Sequence, residues 1–304
     1  MDSLSKSQPH LEEPKEASGD SIAHITQSLE EAVARLKVEN KENTAAAKEL
    51  AKLAKPTVLY NLKNLEKAYT KARQKIPAEV EQRCGLEPLL RIVDGYVRVA
   101  PRLLRQELGA GLKRICQERG YQFRVVSREE PLEVRIAPLS IIIDFKTSKA
   151  TLRFARDPLQ TCNLEAEAIL KAYEKAVATL DSAFDAPSFF EQCRNAYLRV
   201  LRLEGLPDGH RLELLRFLPE LAYLKQPKRF QENPVAKNYR SYSRAQFAYD
   251  VLRLRKAGEL SRGGSRINFG VATGTTASKK SRVIYMEDEQ GVGEYKLTLF
   301  FTRG

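Results

Sequence analysis

From Tyr121 to Ala155 the apolar residues fall at about every second position, and on either side of that stretch they fall at every third or fourth. A period of two lines one face of a strand, whereas a period of 3.6 lines one stripe of a helix. Strands gathered in mid-chain, with helices before and after them, define an α+β class rather than alternating β-α units. The strands are expected at Tyr121 to Val126, Leu132 to Ile136, Leu139 to Lys146 and Ala150 to Ala155. Glu129-Glu130-Pro131, Ala137-Pro138 and Thr147-Ser148-Lys149 link them. Connections this short require neighbouring strands to run antiparallel, as a meander.

Before the strands, Ile22, Ile25, Leu29, Val33 and Leu36 recur at helical steps. Ala45 to Lys55 continues in that style until Pro56 interrupts it. Val58, Leu62, Leu65, Tyr69, Ala72 and Ile76 then follow a 4-3-4-3-4 spacing, which predicts one apolar seam along a helix of about five turns. Lys63, Lys67, Lys71, Arg73 and Lys75 occupy its other faces. Residues 21–76 are expected to form an elongated helical arm whose seams need a cover. That cover is the protein's own body or, as a coiled coil, a protein partner or a second copy. Residues 1–20 lack apolar periodicity and read as a disordered leader.

Residues 86–224 read as a body of antiparallel sheet plus helices. Residues 86–119 are expected to form one or two helices, with Pro101 suited to the first turn of a new one and Gly120 to its stop. Asn163 is placed to cap a helix reaching Leu180, and Pro187 opens another. Leu212 to Leu224 is a short helix containing Pro219, and 225–242 has the composition of a linker or surface loop.

The formal net charge of +12 is unevenly distributed. Residues 225–304 hold 16 Lys/Arg against 7 Asp/Glu, so the other 224 residues supply only +3 of it. A local field of this sign selects anionic partners. Ser243-Arg-Ala-Gln246 matches a capping box for a helix to Ala257, with strands following at Arg266 to Ala272, Arg282 to Met286 and Glu294 to Thr302. Helix then hairpin is the layout of the second half of a winged helix, so 238–304 is expected to be a basic winged-helix-like domain. Arg244, Arg253, Arg255 and Lys256 are expected to project from the helix, and Lys279, Lys280 and Arg282 from the wing. Lys237, Arg240, Arg262 and Arg266 complete the expected nucleic-acid-binding set, and Tyr239, Tyr242 and Phe269 are placed to stack on bases or sugars. The expected partner is nucleic acid, DNA in the first instance. The expected role is non-enzymatic: a binding protein or an adaptor subunit of a DNA-handling assembly.

One enzymatic alternative exists. Asp144-Phe-Lys146 at a strand end, with Glu133 on the neighbouring strand and Glu118 on the preceding helix, resembles the core of restriction-endonuclease-like enzymes. That resemblance covers about 101–180 and implies Mg²⁺-dependent cleavage, with the acids on the metal and Lys146 beside the attacking water. Otherwise no cofactor or metal is expected. Cys84, Cys116, Cys162 and Cys193 lie more than 30 residues apart and form no C-x-x-C pair. Gly270 to Thr276 lacks the spacing of a phosphate-binding loop, and His10, His24 and His210 suggest no catalytic set. With no run of about 18 apolar residues and no apolar leader, the chain is expected to be cytoplasmic, with no membrane partner.

Overall fold

The computed structural model describes residues 19–39 and 43–303. The expected leader thus lies almost wholly outside the described residues. The chain is α+β, with a helical N-terminal region and two antiparallel sheets. It divides into two units, Met1–Ala110 with Phe145–Ser148, and Gly111–Asp144 with Lys149–Gly304. Among the described residues, no helix is long and apolar enough to cross a membrane.

The first unit contains α1 (Gly19–Glu39), α2 (Thr44–Leu53), α3 (Pro56–Leu59), α4 (Leu62–Lys75), α5 (Ala78–Arg83) and the first part of α6 (Glu87–Glu118). The seams expected from spacing are the ones it buries: Ile22, Ile25, Leu29, Val33 and Leu36 join Leu50, Leu53, Leu65, Ala72, Ile76 and Val93 in one core. The helices of the expected arm therefore cover one another's seams, and α1 and α4 both pack on α2. The seam from Val58 to Ile76 is not one helix. The chain breaks at Tyr60-Asn61, where Asn61 becomes an N-cap whose side chain accepts from Asn64 N at 3.0 Å. Glu49 is a buried carboxylate in this core. Burial raises its pKa, but hydrogen bonds from Lys52 and Lys75 outweigh that and leave it below its ordinary value.

Helix α6 runs unbroken through Pro101, so of the one or two helices expected over 86–119 the chain forms one, of 32 residues. Proline removes one backbone hydrogen bond from the ladder, and the long apolar stripe on either side outweighs that loss.

The second unit begins with the expected meander: β1 (Phe123–Ser127), β2 (Leu132–Ile136), β3 (Leu139–Asp144) and β4 (Lys149–Phe154). To these is added β5 (Asp157–Asn163), giving the order β1-β2-β3-β4-β5. Asn163 ends this strand rather than capping the next helix, α7 (Ala166–Leu180), which packs on β4 and β5. One sheet face buries Val134, Ile141, Ile143, Leu152 and Phe154. The other is polar, and the register aligns Arg124, Arg135, Ser140 and Arg153 in one row across four strands.

The rest of this unit runs α8 (Ala186–Glu204), β6 (Leu212–Glu213), α9 (Leu214–Leu224), α10 (Lys228–Glu232), α11 (Arg244–Lys256), β7 (Ser261–Arg262), β8 (Ser265–Val271), α12 (Gly274–Ser278), β9 (Ile284–Glu287) and β10 (Gly293–Arg303). The second sheet has the order β6-β10-β8-β7, with β9 also on β10. Phe301 of β10 packs against Phe190 and Tyr197 of α8, and Phe247 of α11 against Phe217 of α9. Residues 238–304 therefore share their sheet and core with 186–224.

The segment 225–242 is tied down by one buried side chain. Gln226 donates to the carbonyls of Ala222 and Arg240 and accepts from Arg240 N, with all three bonds between 2.8 and 2.9 Å. Strand β9 joins the meander through Arg135 and Glu287, an ion pair of 3.1 Å in which both side chains are about 95% buried.

Candidate nucleic-acid interface

Ser243 caps α11 as its sequence position implies, accepting from Gln246 N at 3.1 Å. The reciprocal arm of the capping box is absent, because Gln246 turns its amide to Leu180 O and Asp250 instead. Eight of the helix's 13 residues are buried, including Phe247, Val251 and Leu254. It packs against α8, β5 and β9, so little of its surface is left for a ligand.

That burial corrects the expectation for the helix cations. Arg253 is only 16% exposed: it pairs with Asp250, donates to Ser182 O and stacks over Phe184 at 4.2 Å. Arg255 lies over Phe269 and reaches Met286 Sδ, and burial lowers its pKa against the pull of Glu294. Arg244 folds back on the carbonyls of Lys280 and Val283. Lys256, the outermost of the four, pairs with Glu289 at 2.8 Å. An amphipathic count from sequence leaves these positions on the polar side of α11. It does not reveal that β5, β8 and the segments after α7, α12 and β9 supply carbonyls, carboxylates and rings there. Of the three expected stacking aromatics, Tyr242 bonds Asp250 at 2.7 Å and Phe269 lies beneath Arg255, whereas Tyr239 is half exposed.

Of the remaining cations, Lys237 and Arg240 precede α11, and the others divide between the two ends of β8. At its start, Arg266 is exposed and Arg262 pairs with Glu259 and Glu191. Beyond its other end, the expected Gly/Thr/Ser/Lys tip is a one-turn helix, α12, followed directly by Lys279 and Lys280. Seven strand residues separate these ends, a span of about 20 Å. Arg282 is bound to Glu213. The side chains of Lys237, Arg240, Arg266, Lys279 and Lys280 are exposed and make no ion pair or hydrogen bond among the described residues.

Arg244 links Lys280 to a feature the sequence did not announce. A cavity of about 460 Å³ opens between the polar face of the meander and the C-terminal sheet, lined among others by Arg153, Arg156, Asp157, Arg244, Lys280 and Tyr285. Arg153 makes no hydrogen bond or ion pair among the described residues. Arg156 has no carboxylate partner there. Its guanidinium lies 4.1 Å from the centre of the Tyr285 ring and reaches the hydroxyls of Tyr285 and Tyr295 only at 3.4 Å. Arg244 and Asp157 face one another at 3.6 Å without a hydrogen bond, leaving Arg244 Nε and Asp157 Oδ2 unused. Burial raises the Asp157 pKa, and Arg244 offsets that only in part.

Arg156 is presented by a two-residue turn that closes β4 onto β5, with Ala155 at φ 50° and Arg156 at φ 65°. A side chain in this left-handed region costs about 1 kcal/mol per residue, and hairpin turns of this kind normally use Asn and Gly. Opposite, Gly291 has φ 82°, and a Cβ there would collide with the Arg135 guanidinium.

The residues of the nuclease alternative are arranged differently from its requirement. Glu133 pairs with Ile142, and Asp144 lies two residues further along β3 on the same face. The strand ends at Asp144, so Lys146 falls in the following turn rather than on the strand. Among the described residues, no group of three or more His, Cys, Asp or Glu side chains is arranged to hold a metal ion. The four cysteines are free thiols.

The unit thus defined is an antiparallel meander joined to a helix-and-hairpin layer with a cationic rim. No family model, curated protein or solved structure matches the chain.

Proposed function

We propose that this chain is a non-enzymatic nucleic-acid-binding protein, a DNA-contacting subunit or adaptor, that meets phosphates through the cationic rim of its second unit. The observation that carries the reading is the set Lys237, Arg240, Arg266, Lys279 and Lys280: five exposed cations not consumed by internal partners, in the segment that holds most of the net charge. The order α8-β6-α9-α11-β8-β10 supports a winged-helix-like reading of this layer. In particular, a short strand before the second helix pairs with the last strand, Leu212 against Leu299 and Glu213 against Thr298. In this reading α11 holds the position of a recognition helix, yet it is covered. Contact then falls to the wing and to the loop before α11, and phosphate contact without base readout gives binding of low sequence preference.

The test is fluorescence anisotropy of the intact chain with labelled duplexes of two unrelated sequences across a salt series. Affinities within a few-fold of one another, falling at least tenfold between 50 and about 200 mM salt, support the reading. Salt-independent binding, or none at the lowest salt, contradicts it. Removing 238–304 is the wrong experiment, because β10 and α11 complete the core formed with α8, β6 and α9.

A further inference from the structure

We infer that the cavity lined by Arg153, Arg156, Arg244 and Lys280 is a binding site for a phosphomonoester. The inference concerns a concave site beside the rim, and the two share Lys280. Three features converge on it. Four cationic side chains from three separate parts of the unit line one cavity: β4 and the turn after it, the start of α11, and the segment after α12. Arg153 and Lys280 make no side-chain hydrogen bond or ion pair among the described residues, and Arg156 touches only tyrosines, so none of the three is neutralised by a direct carboxylate partner. Arg153 Nε and Arg244 Nε are buried without a hydrogen-bond partner, and only Arg244 Nε has an acid near it, Asp157 Oδ2 at 3.6 Å, so Arg153 is the guanidinium left without any acceptor.

The carboxylates around the cavity offset only part of this charge: Glu287 is held chiefly by Arg135, Asp157 faces Arg244, and Glu133 is the remaining acid, so the four cations of the lining face three acids. A tetrahedral dianion fits the guanidinium forks and the ammonium, because its oxygens accept from several donors at once. The left-handed backbone at Ala155 and Arg156 adds weight. An arginine held in a strained turn and aimed over two tyrosine rings is the kind of outlier from which a functional role is argued. The same chemistry reaches the cavity from two sources, a free mononucleotide or the terminal phosphate of a strand.

Isothermal titration calorimetry at fixed ionic strength tests this with adenosine monophosphate, and with a 5′-phosphorylated oligonucleotide against its 5′-hydroxyl counterpart. The expected result is saturable binding of the monophosphate, or tighter binding of the phosphorylated strand end by at least tenfold; the first outcome assigns a free nucleotide and the second a strand end. Arg156→Gly is expected to weaken that binding at least tenfold while keeping or raising Tm, because glycine relieves the left-handed turn. Arg153→Gln is expected to weaken it comparably with Tm unchanged. Equal affinities for both strand ends with no saturable monophosphate binding would overturn the proposal, as would full binding by both variants. The 5′-hydroxyl strand reports the rim interface alone, so the two readings fail separately.

Discussion

Arg135→Ala is expected to cost the second unit about 3–5 kcal/mol at pH 7, the range for removing one partner of a buried ion pair. Arg135 and Glu287 are about 95% buried, and Arg135 also donates to Ser140 Oγ and Glu289 O. Truncating the arginine strands the carboxylate between the meander and β9. Burial already raises the pKa of Glu287 despite Arg135, and losing Arg135 raises it further. The sign of the pH dependence follows. A carboxylate with a raised folded-state pKa penalises the fold when ionised, fully so above that pKa. The penalty fades as pH falls towards the unfolded value, ordinarily about 4.5. The variant's deficit is therefore expected to shrink between neutral pH and about pH 5. Arg135→Met combined with Glu287→Leu is expected to be nearly neutral, since apolar residues of similar volume replace such pairs at little cost. Urea unfolding of the three proteins measures this. A single variant within about 1 kcal/mol of the parent would show that this ion pair does not hold β9 to the meander.

Lys279→Glu with Lys280→Glu is expected to weaken DNA binding by about 10- to 100-fold at low salt. The change takes away two ammonium groups that neutralise phosphates and adds two repulsive charges. Each phosphate left without its cation also flattens the salt dependence by about one unit of log–log slope. Both side chains are exposed and make no side-chain hydrogen bond or ion pair among the described residues, so Tm is expected to stay within a degree or two. The corresponding change at Arg253 is expected to be uninterpretable, because Arg253 ties α11 to Asp250, Ser182 and Phe184. Unchanged affinity and slope in the lysine variant would remove the wing tip from the interface.

Much of the architecture was readable from periodicity because each unit buries one stripe or one face. The seam residues from Ile22 to Leu36 and from Leu65 to Ile76 lie in the core where their spacing puts them. The first four strands and the final one were also legible, because period-two runs bounded by short turns leave few alternatives. What failed did so for local reasons. β5 begins Asp157-Pro158, and a proline is tolerated there only because the strand lies at a sheet edge. The turn before it, Ala155-Arg156, carries none of the usual turn residues although both adopt the left-handed conformation. Asn61 hid a helix start inside an uninterrupted heptad-like pattern, and β6 is only two residues long.

The candidate sites were legible in charge but not in geometry. Sequence located the cationic segment and named Lys279 and Lys280, but it treated every arginine of α11 as outward-facing. Arg153 and Arg156 belong to no motif that singles them out in the sequence. Only the register Arg135-Ser140-Arg153 and the return of Tyr285 and Tyr295 over that face make them walls of a cavity.

DNA is expected to meet the rim of the second unit rather than the lysine-rich face of α4. Lysine acetylation footprinting of the intact chain, with and without a saturating duplex, compares the two surfaces in one experiment. Lys63, Lys67 and Lys71 on α4 are as exposed to reagent as Lys237, Lys279 and Lys280. The account predicts that DNA protects Lys237, Lys279 and Lys280 several-fold and leaves the α4 lysines unchanged. Protection confined to Lys63, Lys67 and Lys71, with the rim still reactive, would contradict it.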